Sequence, residues 1–366
     1  MNSRRIRVLI VDDSALARRI VSEALAGFSD IEVVGTAIDP FIARSQIFEL
    51  NPDVVTLDLE MPRMDGLTFL KIIMKHRPMP VIILSSLTPA GSDKALEALQ
   101  AGAVDVVGKP KGSTFAFEDA AALAEKIRAA ASARVRRHSD PLPVASARRK
   151  IAPPVASSLV PAVRGISPRS LILLGASTGG TEALKAVLTA LNGNLPGICV
   201  VQHISAGFSL AFANQLDRIC PMEVREARHG DFVKSGLALI APGGHHMLLK
   251  WTGGQYQIEL NQGPQIHHQR PAADVLFDSA VKAGAAPHSI AALLTGMGRD
   301  GANGLLHLRQ AGAATLAQNE ETCVVFGMPR EAIRLGAAQE VLALDQVARR
   351  VEQQFSTPYG HATEAA

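Results

Sequence analysis

The stretch "LILLGASTGGTEAL", residues 171–184, sets Ser177 among glycines at the end of an apolar run. "GASTG" satisfies G-x-S-x-G, the pattern in which a strand–turn–helix exposes a serine hydroxyl. Three uses compete for it. A dinucleotide loop would read G-x-G-x-x-G, with an acid at the end of the next strand. Here the spacing is G-x-x-x-G-G, and the next apolar run ends in "CVVQH". A tight structural turn is the default for any single Gly/Ser loop. A nucleophile requires a base and an acid that orients the base.

His203 ends "GICVVQH", so a parallel sheet would place it beside the Ser177 loop. The chain has 11 histidines, which makes chance a serious alternative. His245, His246, His267 and His268 fall in or near Gly/Pro-rich loops, where they could bind substrate or simply be solvated. Their spacings match no HExxH-type zinc pattern. His307 lies inside a helical pattern and reads as packing or surface. Asp300 follows "SIAALLTGMGR", just ahead of another helical pattern. An aspartate there is also an ordinary helix cap. Yet Ser177, His203 and Asp300 all follow apolar strands of one block, where open α/β sheets place their ligands. The order Ser, His, Asp excludes the α/β-hydrolases, which run Ser, Asp, His.

A second constellation comes earlier in the chain. Asp12 and Asp13 follow "IRVLIV", Asp58 follows "VVTL", Ser85 and Ser86 end "VIILSS", and Lys109 follows "VVG". Carboxylates gathered at neighbouring strand ends repel one another and lose hydration. A hard dication such as Mg2+ relieves both problems. A hydroxyl, an ammonium and a metal ion around one carboxylate make a phosphoryl-acceptor site. Helix capping is the alternative, and Asp13 before "SALARRI" could serve that way. Capping does not account for the whole set.

The elements that must position these residues follow from periodicity. Up to about residue 130, the runs "IRVLIV", "IEVVGTA", "DVVTLD", "VIILSS" and "AVDVV" alternate with helical patterns. From residue 171, "LILLG", "GICVVQ", "LALIAP", "IAALLTG" and "ATLAQ" do the same, and "MLLKWTGGQYQIEL" reads as an antiparallel hairpin. The expectation is α/β: two doubly wound parallel-sheet domains, the second larger and Rossmann-like with that hairpin. Residues 131–168, rich in Ala, Pro, Ser and Arg, read as a flexible linker between a 1–130 domain and a 169–352 domain. Residues 353–366 read as a disordered tail.

Composition bounds the function classes. The chain has 366 residues, 47% hydrophobic and 19% charged, enough for two ordinary cores. A net charge of +3 does not argue for nucleic acid. Apolar runs are too short to span a membrane, and "MNSRRIRVLIVDD", with two aspartates straight after its apolar run, does not read as a signal peptide. Three scattered cysteines suit a reducing, cytoplasmic setting.

"VDDS", "DLEMPRMDG", "SS" and "KP" together resemble the receiver domain of bacterial response regulators. The resemblance implies Asp58 as phospho-acceptor and Mg2+ held by Asp13, Asp58 and the Glu60 carbonyl, with Asp12 assisting. It also implies Ser85 as switch hydroxyl and Lys109 as phosphate partner. Val106 stands where many receivers have an aromatic residue, which argues against an aromatic-rotamer switch. "GASTGG", "VVQH", "APGGHHM", "RPAADVLF", "TGMGRDG" and "VVFGMPREA" resemble the catalytic domain of chemotaxis protein-glutamate methylesterases. That implies Ser177 as nucleophile, His203 as base and Asp300 as its orienting acid. The Met297 N–H would be an oxyanion donor, and Thr178 would help position the histidine. The family usually shows His-Arg-Pro-Ser where this chain has Gln269, Arg270, Pro271 and Ala272, which puts local loop contacts in question.

The implied activity is demethylation of glutamate γ-methyl esters, with deamidation of specific glutamines, on chemoreceptor cytoplasmic domains. The implied partners are those methylated chemoreceptors and a histidine kinase as phosphodonor. Mg2+ is expected in the receiver, and no cofactor for the ester chemistry. A monomer is expected, without nucleic acid or membrane insertion. A DNA-reading output domain, a nucleotide-binding domain and a scaffold are the rival readings.

Overall fold

The computed structural model describes residues 4–86, 88–109, 117–135 and 167–356. Residues 136–166 of the expected 131–168 linker and 357–366 of the expected 353–366 tail lie outside the described residues, while 353–356 are not tail but the last turn of a helix.

The first block runs β1 (Ile6–Val11), α1 (Ala15–Ala26), β2 (Ile31–Ala37), α2 (Pro40–Leu50), β3 (Val54–Asp58), α3 (Gly66–His76), β4 (Val81–Ser85), α4 (Pro89–Gln100), β5 (Asp105–Gly108) and α5 (Phe117–Ala131). Its sheet is parallel throughout, in the order β2-β1-β3-β4-β5. The strand order reverses between β1 and β3, so their carboxyl ends open a crevice. β3 and β4 are buried along their whole length, which explains why their sequences are mostly apolar, up to Asp58 and Ser85 at their ends, rather than alternating.

The second block begins with β6 (Leu171–Ala176), α6 (Gly180–Ala190), β7 (Gly197–Gln202), α7 (Phe208–Asp217), β8 (Glu223–Glu226) and β9 (Leu237–Ile240). The hairpin is β10 (His246–Thr252) and β11 (Gln255–Asn261), turning at Gly253 and Gly254 as expected. Then come α8 (Ala273–Lys282), β12 (Ser289–Leu293), α9 (Ala302–Gln310), β13 (Ala314–Gln318), α10 (Met328–Arg334), β14 (Glu340–Leu342) and α11 (Leu344–Ser356). The main sheet has seven strands in the order β14-β13-β12-β6-β7-β9-β8. Every pairing in it is parallel. Two of these strands, β8 and β14, were not legible as apolar runs. They are short and lie at the sheet edges, and "EVRE" and "EVL" carry charge there, as edge strands do.

The chain leaves β6 for β7 on one side and returns to β12 on the other. The topological switch point therefore lies between β6 and β12, at their carboxyl ends. The two blocks pack together. One apolar cluster runs from Leu96, Leu99 and Ala103 of the first block into Ala183, Phe212 and Leu216 of the second. Among the described residues no helix is long and apolar enough to cross a membrane.

Candidate functional site: two strand-end constellations

The serine loop is built at the switch point. Ser177 follows β6 directly, and its N–H donates to Thr295 O at 2.9 Å, beyond the end of β12. Its carbonyl accepts from Gln202 Nε2 at 2.8 Å and from the Gly180 N–H at 2.6 Å. Gly179 has φ +76°, and a Cβ there would sit 2.6 Å from Val324 Cβ. A Cβ at Gly180 would collide with Gln202 Oε1. Gly179 is thus required by conformation and by space, and Gly180 by space alone.

His203 follows β7, with its N–H on Ala176 O at 3.1 Å. Its Nε2 lies 2.7 Å from Asp300 Oδ2, and both side chains are only 2% exposed. Asp300 also accepts from the N–H groups of Ala273 at 2.6 Å and Asp274 at 3.1 Å, the first turn of α8. Burial pushes the Asp300 carboxyl up. The hydrogen bond and charge of His203, with the two α8 amides, outweigh burial and hold it below the usual carboxylate value. Ala272 cannot cap α8 with its side chain, so Asp300 supplies the acceptor that a serine at that position would.

The structure brings Ser177, His203, Asp300 and Met297 around one cleft. Among the described residues, Ser177 Oγ has no hydrogen bond to His203, and the N–H groups of Met297 and Thr178 have no acceptor. Serine–base hydrogen bonds are often unmade without substrate. Two free amides beside a serine are what an oxyanion requires.

The Thr178 hydroxyl goes elsewhere than expected. It donates to Asp105 Oδ2 at 2.7 Å, in β5 of the first block, rather than to His203. Asp105 also accepts from Lys126 Nζ of α5 at 2.6 Å. Glu125, Lys126 and Ala129 of α5 line the cleft over Ser177 and His203, leaving about 40 Å³. That is room for a few water molecules. A wider cleft of about 970 Å³ adjoins it, lined by Arg128, Arg134, His267, Arg299 and Arg330 among others. Arg134 bridges the blocks by an ion pair to Glu320 at 2.7 Å. Sequence reading missed Asp105, since a carboxylate starting a short receiver strand carries no signal of a partner in another domain. Gln202 was visible in "VVQH", but its bond to the serine carbonyl was not.

Of the other histidines, His246 is buried with Nε2 on Pro264 O at 2.9 Å. His307 is on the surface of α9, 2.7 Å from Asp278. His267 reaches the cleft, and burial holds its imidazole below the usual value.

At the first crevice, Asp12, Asp13 and Asp58 offer oxygens within 4.8 Å of one another. Lys109 Nζ lies 2.9 Å from Asp12 Oδ2 and 2.8 Å from Asp58 Oδ2. Burial pushes the Asp58 carboxyl above its usual value, and the Asp12 charge adds to that, while Lys109 opposes it. Glu60 follows at the crevice, its N–H on Asp58 Oδ1 at 3.1 Å. Ser85 Oγ donates to Gly91 O at 3.1 Å, in α4. An all-oxygen set of crowded carboxylates fits a hard dication.

Comparison with known proteins bears on both sites. The family model for the CheB methylesterase matches residues 172–351, and that for the response regulator receiver domain matches residues 8–115. A protein-glutamate methylesterase/protein-glutamine glutaminase of Syntrophus aciditrophicus is 50% identical over 350 residues, covering 95% of this chain and 98% of that protein. The chain belongs to the CheB methylesterase family. A relative of the same description from Rhodopseudomonas palustris is 49% identical over 356 residues, covering 96% of each chain. The crystal structure of the Thermotoga maritima CheB methylesterase catalytic domain is 37% identical over 50% of this chain and 97% of that one, with a TM-score of 0.49. With a receiver domain and a methylesterase domain in one chain, the two constellations fall one in each.

Proposed function

We propose that this methylesterase hydrolyses glutamate γ-methyl esters on chemoreceptor cytoplasmic domains, deamidates specific glutamines there, and is switched on by phosphorylation of Asp58. The observation that carries the catalytic part is the buried His203–Asp300 pair at 2.7 Å, beside Ser177 at the switch point. Ser177 attacks the ester carbonyl, and His203 takes its proton through the ring nitrogen not committed to Asp300. The Met297 and Thr178 amides receive the oxyanion. His203 returns the proton to the departing methanol, and water then releases the acyl-enzyme by the same route. An amide substrate follows the same path with ammonia leaving.

The regulatory part rests on the α5 residues over the cleft. A large helical substrate cannot reach Ser177 while Glu125, Lys126 and Ala129 cover it. Phosphorylation would shift the population toward an open arrangement. Asp12, Asp13, Asp58 and the Glu60 carbonyl would hold Mg2+, which neutralises the oxygens of the transferred phosphoryl group. Lys109, already on Asp12 and Asp58, would bind the same oxygens, and Ser85 would turn its hydroxyl from Gly91 to the phosphate. A histidine kinase is the expected phosphodonor.

The test is methanol release from methylated receptor membranes, with and without a small phosphodonor and Mg2+. Stimulation is expected in wild type and absent in Asp58→Asn, with basal release retained. Stimulation that survives in Asp58→Asn would remove Asp58 from the switch. A second variant probes the cover. Losing a buried charge-assisted hydrogen bond weakens the closed form by about 1.5–3 kcal/mol. Asp105→Ala is therefore expected to raise basal release about tenfold and to shrink the further gain from phosphodonor. Unchanged basal release would show that the Asp105–Thr178 contact does not restrain the cleft.

A further inference from the structure

The N-termini of α8 and α9 cross beside the catalytic pair and exchange carboxylates. Asp300, two residues ahead of α9, accepts from the first two amides of α8. Asp274, in the first turn of α8, accepts at Oδ1 from the Gly304 N–H of α9 at 2.7 Å. The helices touch at that point. A Cβ on Gly304 would lie 2.7 Å from Phe277 Cβ and 3.1 Å from Asp274 Cα. Each helix therefore caps the other, and the catalytic carboxylate is one half of the exchange. The hydroxyl that would cap α8 locally is missing, because Ala272 occupies that position.

We propose that Asp274 is a positioning residue for the His203–Asp300 pair, acting both by the reciprocal cap and by its own charge. This rests on the proposed serine mechanism. The geometry gives the first role: moving Asp274 off Gly304 releases the α8 amides that fix Asp300. The charge gives the second. A carboxylate here adds negative charge beside Asp300, whose Oδ1 takes the Asp274 N–H while its Oδ2 faces the imidazole. That favours the imidazolium that forms as Ser177 gives up its proton.

The groups facing Asp274 define its surroundings. Asp300 lies across the helix crossing, and His267 Nε2 is 3.5 Å from Asp274 Oδ2, from the loop before α8. Arg299 stands beyond His267, its Nε 3.4 Å from Nδ1. Asp278 is one turn along α8 and is paired with His307 of α9. Burial first, and then the Asp300 charge, push the Asp274 carboxyl up to about 7. Asp274 thus takes up its charge late, as pH rises through the neutral range. A substitution to asparagine keeps an oxygen for Gly304 and fixes the neutral form.

The experiment measures kcat and KM for methanol release from methylated receptor between pH 6 and 8.5. It uses full-length wild type, Asp274→Asn and Ser177→Ala. The expected result is that Asp274→Asn matches wild type near pH 6 and falls behind as pH rises. Its kcat at pH 8 should be lower by about fivefold or more, with KM unchanged. Its melting temperature at pH 8 should equal or exceed that of wild type, since burying the charged form is unfavourable. Asp274→Ala, which also loses the Gly304 acceptor, should be slow at every pH. A wild-type-to-Asp274→Asn ratio of one, or one constant across the range, overturns the proposal while an inactive Ser177→Ala leaves the serine mechanism standing. A Ser177→Ala variant as active as wild type would remove both together.

Discussion

Replacing Ser177 by alanine is expected to abolish methanol release from methylated receptor while the protein stays folded. The expected loss in kcat is on the order of 10⁶, the size seen when a triad nucleophile is removed from a serine hydrolase. What remains, the amides of Met297 and Thr178 and the His203–Asp300 pair, can polarise an ester but has no atom to attack it. A surviving amide donor contributes roughly 3–4 kcal/mol to a transition state that Ser177→Ala no longer forms. The cysteines cannot substitute. Burial pushes the Cys199 and Cys323 thiols up to about 12 and Cys220 up to about 11, so none is a thiolate at neutral pH. Folding should be spared because the hydroxyl makes no hydrogen bond among the described residues: the loop is fixed by the Ser177 backbone, through Thr295, Gln202 and Gly180. Methanol assay and a thermal melt on the same preparation decide the matter. Near-normal release by Ser177→Ala would sink the serine mechanism.

Most of both sites was legible in the sequence, because strand ends in a parallel sheet are announced by apolar runs. Ser177, His203 and Asp300 each follow such a run, and pairing of β6 with β7 and β12 brings the ends together. The same logic placed Asp12, Asp13 and Asp58 within 4.8 Å. Two things were not legible. One was the pair of edge strands, whose charged, short sequences lack the burial signal that marks an inner strand. The other was every contact that joins distant segments through side chains. Asp105 meeting Thr178 across 73 positions, and Asp274 meeting Gly304 across 30, depend on packing that no local pattern encodes. The departure at Gln269–Ala272 shows the limit well. From sequence it concerned loop contacts. In the fold, Ala272 sits at the start of α8, and the consequence falls on how Asp300 is held.

That dependence makes Asp300 the second position where a large effect is expected. Asp300→Ala should lower kcat by about 10⁴, as removal of the triad acid does elsewhere, with little change in KM. Two losses combine. His203 loses the acceptor that fixes which ring nitrogen carries the proton, and the imidazolium loses its counter-charge. In addition the amides of Ala273 and Asp274 are left buried without an acceptor, so α8 should shift away from the cleft. Asp300→Asn is the milder change. An oxygen at the Oδ2 position can still accept from His203 and Ala273, but its amide then faces the Asp274 N–H donor to donor. The expected order of activity is wild type, then Asn, then Ala. Stability should carry a matching pH signature. The folded protein holds Asp300 below its unfolded value, so its contribution is full above about pH 4 and is lost as pH falls through the lower folded value. The stability gap between wild type and Asp300→Ala should therefore be steady from pH 5 upward and narrow in acid. A gap that instead widens in acid, or a kcat for Asp300→Ala within about tenfold of wild type, would mean that His203 does not depend on this carboxylate.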